Sequence, residues 1–222
     1  VALIGAIMEM GLIRPLYERP VFQLVLTFGL GAIFLDLVER YYGADPKQPL
    51  APPTLLNDNF SLFGQSLSYY RLFIIVLGLV MMVGVFLLLN RTRIGIIIRA
   101  GVQDPEMVQA LGINVRRVFT LVFVLGAGLA ALGGIALVPY QGATLGMGNQ
   151  FLILAIVVIV IGGMGSFEGT AIASLIVGLT RAVAEQLSLA HFNAPVLAET
   201  SVLLLMIVVL LVQPNGLFGR GE

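Results

Sequence analysis

Long apolar runs broken by short polar stretches dominate the chain. Residues 72–89 carry no charged side chain, and neither do residues 118–167. The second run is too long for one membrane crossing, because about 20 apolar residues already traverse roughly 30 Å of hydrocarbon. Pro139 and the stretch 142–148 divide it, which predicts a crossing over 118–138 and a shorter one over 148–164. Residues 170–189, with only Arg181 and Glu185 charged, predict another, and 197–212 a last one that stops at Gln213-Pro214. Residues 21–38 are apolar except for Gln23, Thr27 and Asp36. Residues 1–13 are apolar except for Glu9 and too short to cross alone. None of these runs has the period-2 alternation of barrel strands, and a backbone in lipid must bond within its own segment. The expected fold class is therefore all-α: a polytopic transmembrane helical bundle with six full spans plus a partial N-terminal one, forming a single domain over residues 1–222. The partial helix has neither an initiator Met nor the basic flank of a signal peptide, so N-terminal truncation is expected.

Composition narrows the function. Hydrophobic residues make up 59% of the chain and charged residues 11%, against about a quarter charged in soluble domains. Twelve basic residues balance twelve acidic ones. A soluble enzyme, a disordered chain and a basic nucleic-acid binder are excluded, so no nucleic-acid partner is expected. Cys is absent and His191 is the single histidine, which removes disulfides, thiolate metal sites and a Ser-His triad. No catalytic residue, metal or cofactor is expected, and the spans lack the paired carboxylates of an intramembrane enzyme.

Charge sets the orientation, because cytoplasmic loops carry the excess of Arg and Lys. If the first segment exits to the cytoplasm, Arg14, Arg19, Arg91, Arg93, Arg99, Arg116, Arg117 and Arg220 lie inside, eight against Arg40, Lys47 and Arg71 outside. Tyr41, Tyr42, Tyr69 and Tyr70 bracket the external loop 40–71, and Tyr17 and Tyr140 sit beyond other span ends, as headgroup-level rings do. Glu9, near a cytoplasmic end, is expected to be solvated, and Asp36 and Glu39 to be interfacial. The Pro-, Asn- and Asp-rich external loop reads either as a solvated connector or as a docking surface.

The internal excursion 90–117 is more specific. Asp104 can cap a helix, Pro105 suits its first position, and Glu106 meets the positive end of the helix dipole. Gly112 can stop it in a left-handed conformation. A helix over 105–111 results, with Met107, Val108 and Leu111 on a shared face by their i, i+3 and i+4 spacing. So short a helix is marginal in water. Its apolar face is expected either to fill a partner's groove or to lie on lipid or its own bundle.

This loop also carries a family resemblance. Arg99-Ala100-Gly101-Val102-Gln103-Asp104-Pro105-Glu106, followed by Ala110-Leu111-Gly112-Ile113-Asn114-Val115, resembles the cytoplasmic coupling loop of bacterial ABC importer permeases, in particular the LivH-type branched-chain amino acid permease family. Arg14-Pro15-Leu16-Tyr17, Arg91-Thr92-Arg93-Ile94-Gly95, Gly162-Gly163-Met164-Gly165-Ser166-Phe167-Glu168-Gly169 and Gln213-Pro214-Asn215-Gly216-Leu217-Phe218-Gly219 resemble other family segments in order. The resemblance implies a permease subunit with no chemistry of its own, in the bacterial inner membrane with its C-terminus cytoplasmic. Its implied partners are a second permease subunit, two cytoplasmic ATP-binding subunits, a periplasmic solute-binding protein and the lipid bilayer. Carried onto this chain, the ATPase-coupling residues are Asp104, Pro105, Glu106, Met107, Val108, Ala110, Leu111 and Gly112. Urea, short-chain amides or another small solute remain alternative cargoes. A stand-alone secondary carrier remains an alternative class.

The remaining motifs read as structure. The stretch 162–169 lacks the Lys and spacing of a phosphate loop and predicts a tight inner turn, with Ser166 capping the next helix. Stripes of small residues, Gly126/Ala130/Gly134 and Thr170/Ser174/Gly178, predict close helix packing, or else a face turned to a permease partner or the pathway. Arg181 and Glu185 lie at i, i+4 within one span, where an unpaired charge costs at least roughly 2.5–3.5 kcal/mol at mid-bilayer. They are expected to pair, either structurally near the outer end or lining a pathway.

Overall fold

The computed structural model describes residues 1–17, 19–45, 59–62, 65–191 and 196–219. Lys47, Arg220 and most of the Pro- and Asn-rich centre of the external loop lie outside these residues. The described chain is helical except for one antiparallel hairpin, β1 (Asn59–Leu62) and β2 (Gln65–Ser68), with Asn59 opposite Ser68. Among the described residues, four helices are long and apolar enough to cross a membrane, Val21–Tyr42, Tyr69–Arg91, Val115–Gln141 and Phe167–Ser188, and two apolar helices, Met147–Gly162 and Val196–Val212, are shorter. The chain divides into two compact units, Val1–Leu145 and Gly146–Glu222.

The first unit contains α1 (Ala2–Met8), α2 (Pro20–Tyr42), α3 (Tyr69–Arg91), α4 (Arg93–Gln103), α5 (Pro105–Ala110) and α6 (Val115–Gln141). Ser68 starts α3 by accepting from the Tyr70 amide at 3.2 Å. α6 continues through Pro139 and ends at Gly142, which has φ 77°. The break expected at the proline therefore falls at the glycine, because a proline in the final turn removes one hydrogen bond whereas the left-handed glycine ends the ladder. Helix α1 packs on α6 through small residues: a Cβ at Gly5 would stand 2.9 Å from the Ala127 Cβ. The expected stripe on α6 is corrected by this contact. Nothing lies within 4 Å of where a Cβ would project from Gly126 or Gly134. The packed face runs through Ala127 and Gly128 instead.

Two tyrosines assigned to the membrane surface make specific contacts within this unit. The Tyr70 hydroxyl is buried and donates to the Ala136 carbonyl at 2.8 Å, tying the start of α3 to the end of α6. Tyr17 packs edge-on against Phe119 and donates to Glu9 Oε1 at 2.6 Å. Glu9, expected to be solvated, is 0% exposed. It opens a π-helical stretch, Glu9–Ile13, that continues α1, and the wider winding turns its carboxyl inward. Burial, then the hydrogen bond to Glu9, pushes the Tyr17 phenol above its ordinary value of 10.0, so the donor persists at every physiological pH.

The second unit is a three-helix packet of α7 (Met147–Gly162), α8 (Phe167–His191) and α9 (Val196–Val212). Val157, Ile161, Ala173, Val177 and Val202 form its core. The buried face of α8 carries Ala173 and Val177, one position away from the expected Ser174/Gly178 edge. Ser166 caps α8 by accepting from the Gly169 amide at 3.0 Å, with Glu168 in the first turn. α7 ends where backbones meet: a Cβ at Gly162 would stand 2.5 Å from the Thr170 nitrogen, and Gly163 has φ 96°. The tail after α9 closes this end. The Leu217 amide donates to the Ile161 carbonyl at 2.8 Å and the Phe218 amide to the Gly162 carbonyl at 3.1 Å. The final carbonyls of a helix have no intrahelical donor, and here a segment distant in sequence supplies two.

Two outcomes follow. Gly162→Ala is expected to destabilise the protein by about 1–3 kcal/mol through overpacking, read as a lowered thermal midpoint in detergent, while Gly178→Ala, facing open space, is expected to raise the midpoint slightly through its better helix propensity. Tyr17→Phe removes the donor to a buried carboxylate and is expected to cost about 1–3 kcal/mol in denaturant titrations. Because the folded phenol is raised, its stabilising contribution is complete below pH 10.0 and falls as pH climbs toward the folded value. The Phe variant loses that alkaline decline.

Candidate functional site

Helix α4 folds back sharply on the end of α3. The Leu88 and Leu89 carbonyls occupy the space a Cβ at Gly95 would fill, and Thr92 caps α4 by accepting from the Gly95 amide at 3.1 Å. Only a glycine allows this reversal. Helix α4 was not separated in the sequence reading, because the apolar run across Ile94, Ile96, Ile97 and Ile98 is short beside the longer ones, although Thr92 is a cap residue at its start.

Helix α5 follows at once. Asp104 Oδ1 accepts from the Met107 amide at 2.9 Å, Pro105 occupies the first turn, and Glu106 adds negative charge there. Gly112 takes φ 80° and ends the excursion. Asn114 then starts α6 by accepting from the Arg117 amide at 3.2 Å. Ala110 is the last residue of α5, and Leu111 follows it as the C-cap.

The face expected to hold Met107, Val108 and Leu111 divides. Val108 is 3% exposed, whereas Met107 is 61% and Leu111 72% exposed. Residues at i and i+4 stay on one side of a helix, while the next position turns by about 100°. Val108 therefore anchors α5 to its own unit and leaves Met107 and Leu111 outward. Val102, at the end of α4, is also outward at 66% exposed. The sequence reading missed this third apolar contributor. A site made of capped backbone and bare apolar side chains can dock.

In the second unit, Arg181 and Glu185 do not come within ion-pair distance. Among the described residues the ion pair found is the exposed Asp36–Arg40 contact at 2.9 Å on α2, worth little in water. Arg181 instead lines a cavity of about 170 Å³ with Gln150 and Glu199, and Glu185 is not part of that lining. Gln150 Nε2 donates to Glu199 Oε1 at 3.0 Å. Sequence spacing could not find this group, because its members come from three helices. Among the described residues no cluster of His, Cys, Asp and Glu could hold a metal ion.

Comparison with known proteins places the fold in context. Residues 1–213 match the family model described as branched-chain amino acid transport system / permease component. The chain is 35% identical to the high-affinity branched-chain amino acid transport system permease protein BraD of Pseudomonas aeruginosa, over 78% of this chain and 56% of BraD. It is 32% identical to LivH of Escherichia coli K12, over 92% of this chain and 66% of LivH. A galactose/methyl galactoside import permease protein, MglC of Haemophilus influenzae, is 29% identical over 65% of this chain and 44% of MglC. The chain thus spans between about half and two thirds of the length of the first two relatives. No solved structure matches. With its family segments in order and its apolar helices spanning the match, the chain belongs to the branched-chain amino acid transport system permease family.

Proposed function

We propose that this protein is the membrane permease subunit of a binding-protein-dependent ABC importer and forms the translocation pathway for branched-chain or related amino acids. It pairs with a second permease subunit, receives solute from a periplasmic binding protein, and is driven by two cytoplasmic ATP-binding subunits. The chain performs no chemistry itself. All six apolar helices cross the bilayer, with α7 and α9 as short crossings, and the Arg-rich excursion carrying α4 and α5 lies in the cytoplasm with the C-terminus.

The observation that carries this reading is the exposed pair Met107 and Leu111 on a helix fixed at both ends and anchored by buried Val108. A short helix held this firmly while showing two large apolar side chains to water fits a groove-docking element. Asp104, Pro105 and Glu106 set its start, Ala110 closes its final turn, and Gly112 sets its end, so the two side chains arrive in a defined orientation. Motion of an ATPase groove against them then reaches α4 and α6 through rigid backbone.

A sugar is the alternative cargo suggested by the similarity to a galactoside import permease, with urea and short-chain amides as further alternatives.

The test is the double variant Met107→Asp with Leu111→Asp in the assembled importer in proteoliposomes. Each buried charge is expected to cost at least about 2 kcal/mol of docking, so stimulation of ATP hydrolysis by loaded binding protein falls by more than tenfold. Membrane insertion is unchanged. Retained stimulation would overturn the docking role, and solute uptake by the purified chain alone under an ion gradient would replace the importer with a secondary carrier.

A further inference from the structure

We propose that the half-open cavity lined by α7, α8 and α9 is a binding site for a zwitterionic aliphatic amino acid, with Arg181 taking its carboxylate and Glu199 its ammonium group. The inference deepens the permease reading and rests on it.

Three features carry it together. The first is the state of the charges. Arg181 sits within an apolar helix and has no carboxylate within 4.0 Å among the described residues. A charge kept in such a segment against an insertion penalty marks a functional position. A planar guanidinium offers paired donors that match a carboxylate. The second feature is the partner on the same cavity. Glu199 lies in the first turn of α9 and accepts a single amide hydrogen bond from Gln150. A carboxylate has about four acceptor positions, so this bond orients Glu199 without saturating it, and an ammonium group can take the remainder.

The third feature is the wall. Ile153, Leu154 and Val157 of α7 and Val202 and Leu203 of α9 line the cavity. A void of about 150 Å³ holds a benzene-sized group, so about 170 Å³ accommodates a branched aliphatic side chain. A sugar would bring a ring of hydroxyls that need partners on every side. This lining offers polar groups only at Gln150, Arg181 and Glu199. One cation, one anion and an aliphatic wall match a neutral zwitterion with an apolar side chain and mismatch a carbohydrate.

The position suits a solute on its way in. Gln150 and Glu199 stand near the starts of α7 and α9, the end of this unit opposite the glycine-lined junction of Gly162 with Thr170. In the proposed orientation that is the external end, where a binding protein would release its cargo.

The experiment uses the full chain assembled with its partner subunits in nanodiscs, without binding protein, and labelled L-leucine as the probe. Leucine is expected to bind and to be displaced by valine but not by galactose. Arg181→Gln and Glu199→Gln are each expected to weaken binding at least about tenfold, with a smaller loss for Arg181→Lys, which keeps the charge but not the fork. Ile153→Trp, at a half-exposed position that tolerates bulk, fills the cavity and abolishes binding. It decides the matter if a charge variant fails to assemble. Unchanged leucine affinity in Ile153→Trp, displacement by galactose, or absence of binding in a complex that still imports leucine would overturn the site and leave the permease reading standing. A complex that hydrolyses ATP with loaded binding protein yet imports no amino acid would overturn both.

Discussion

A backbone amide in hydrocarbon has no water to bond, and each group left unpaired there costs several kcal/mol. That constraint explains the long apolar helices, and it explains their ends even better. Where α7 stops, its last carbonyls would be stranded, and the chain returns from the end of α9 to donate to Ile161 and Gly162. Where α3 stops, Thr92 and Gly95 let the backbone reverse without an orphaned turn. Where α6 begins, Asn114 supplies an acceptor. Glycines at these sites are there because two backbones must approach, or a turn must be left-handed, more than because a helix needs flexibility.

The same economy separates the parts that hold the units together from the parts left free to act. Hydrophobicity supplies no net drive between helices in lipid, so packing comes from small residues and specific polar ties. In the first unit these are Gly5 against Ala127 and the Tyr70 hydroxyl on the Ala136 carbonyl. The buried Glu9–Tyr17 pair adds a third tie close to a π-helical winding. With α5 anchored by Val108 inside this framework, the outward Met107 and Leu111 are displayed on a stiff mount. Force applied there would be transmitted instead of being absorbed by a flexible loop.

In the second unit, three helices closed at one end by backbone contacts carry a mixed polar and aliphatic cavity at the other. Under the proposed function, the docking element on one unit and the solute-sized cavity in the other would supply two parts of an ATP-driven pathway.

The sequence by itself determined what the bilayer dictates locally. Apolar run length fixed which segments became helices, and Asp104-Pro105, Ser166 and Gly112 announced starts and stops because a cap acts within one turn of its own residue. The family was legible too, since its segments keep their order along the chain. Whatever depended on rotation about a helix axis was not legible. One position's turn put Val108 inside and Leu111 outside, and moved the packed faces from Gly126 to Ala127 and from Ser174 to Ala173. A one-turn π-helical winding buried Glu9, and Arg181 joined Gln150 and Glu199 of other helices at a cavity instead of pairing with Glu185. Local pattern gives the period of a helix but not its phase. The phase is set by neighbours distant in sequence, and only the tertiary structure supplies them.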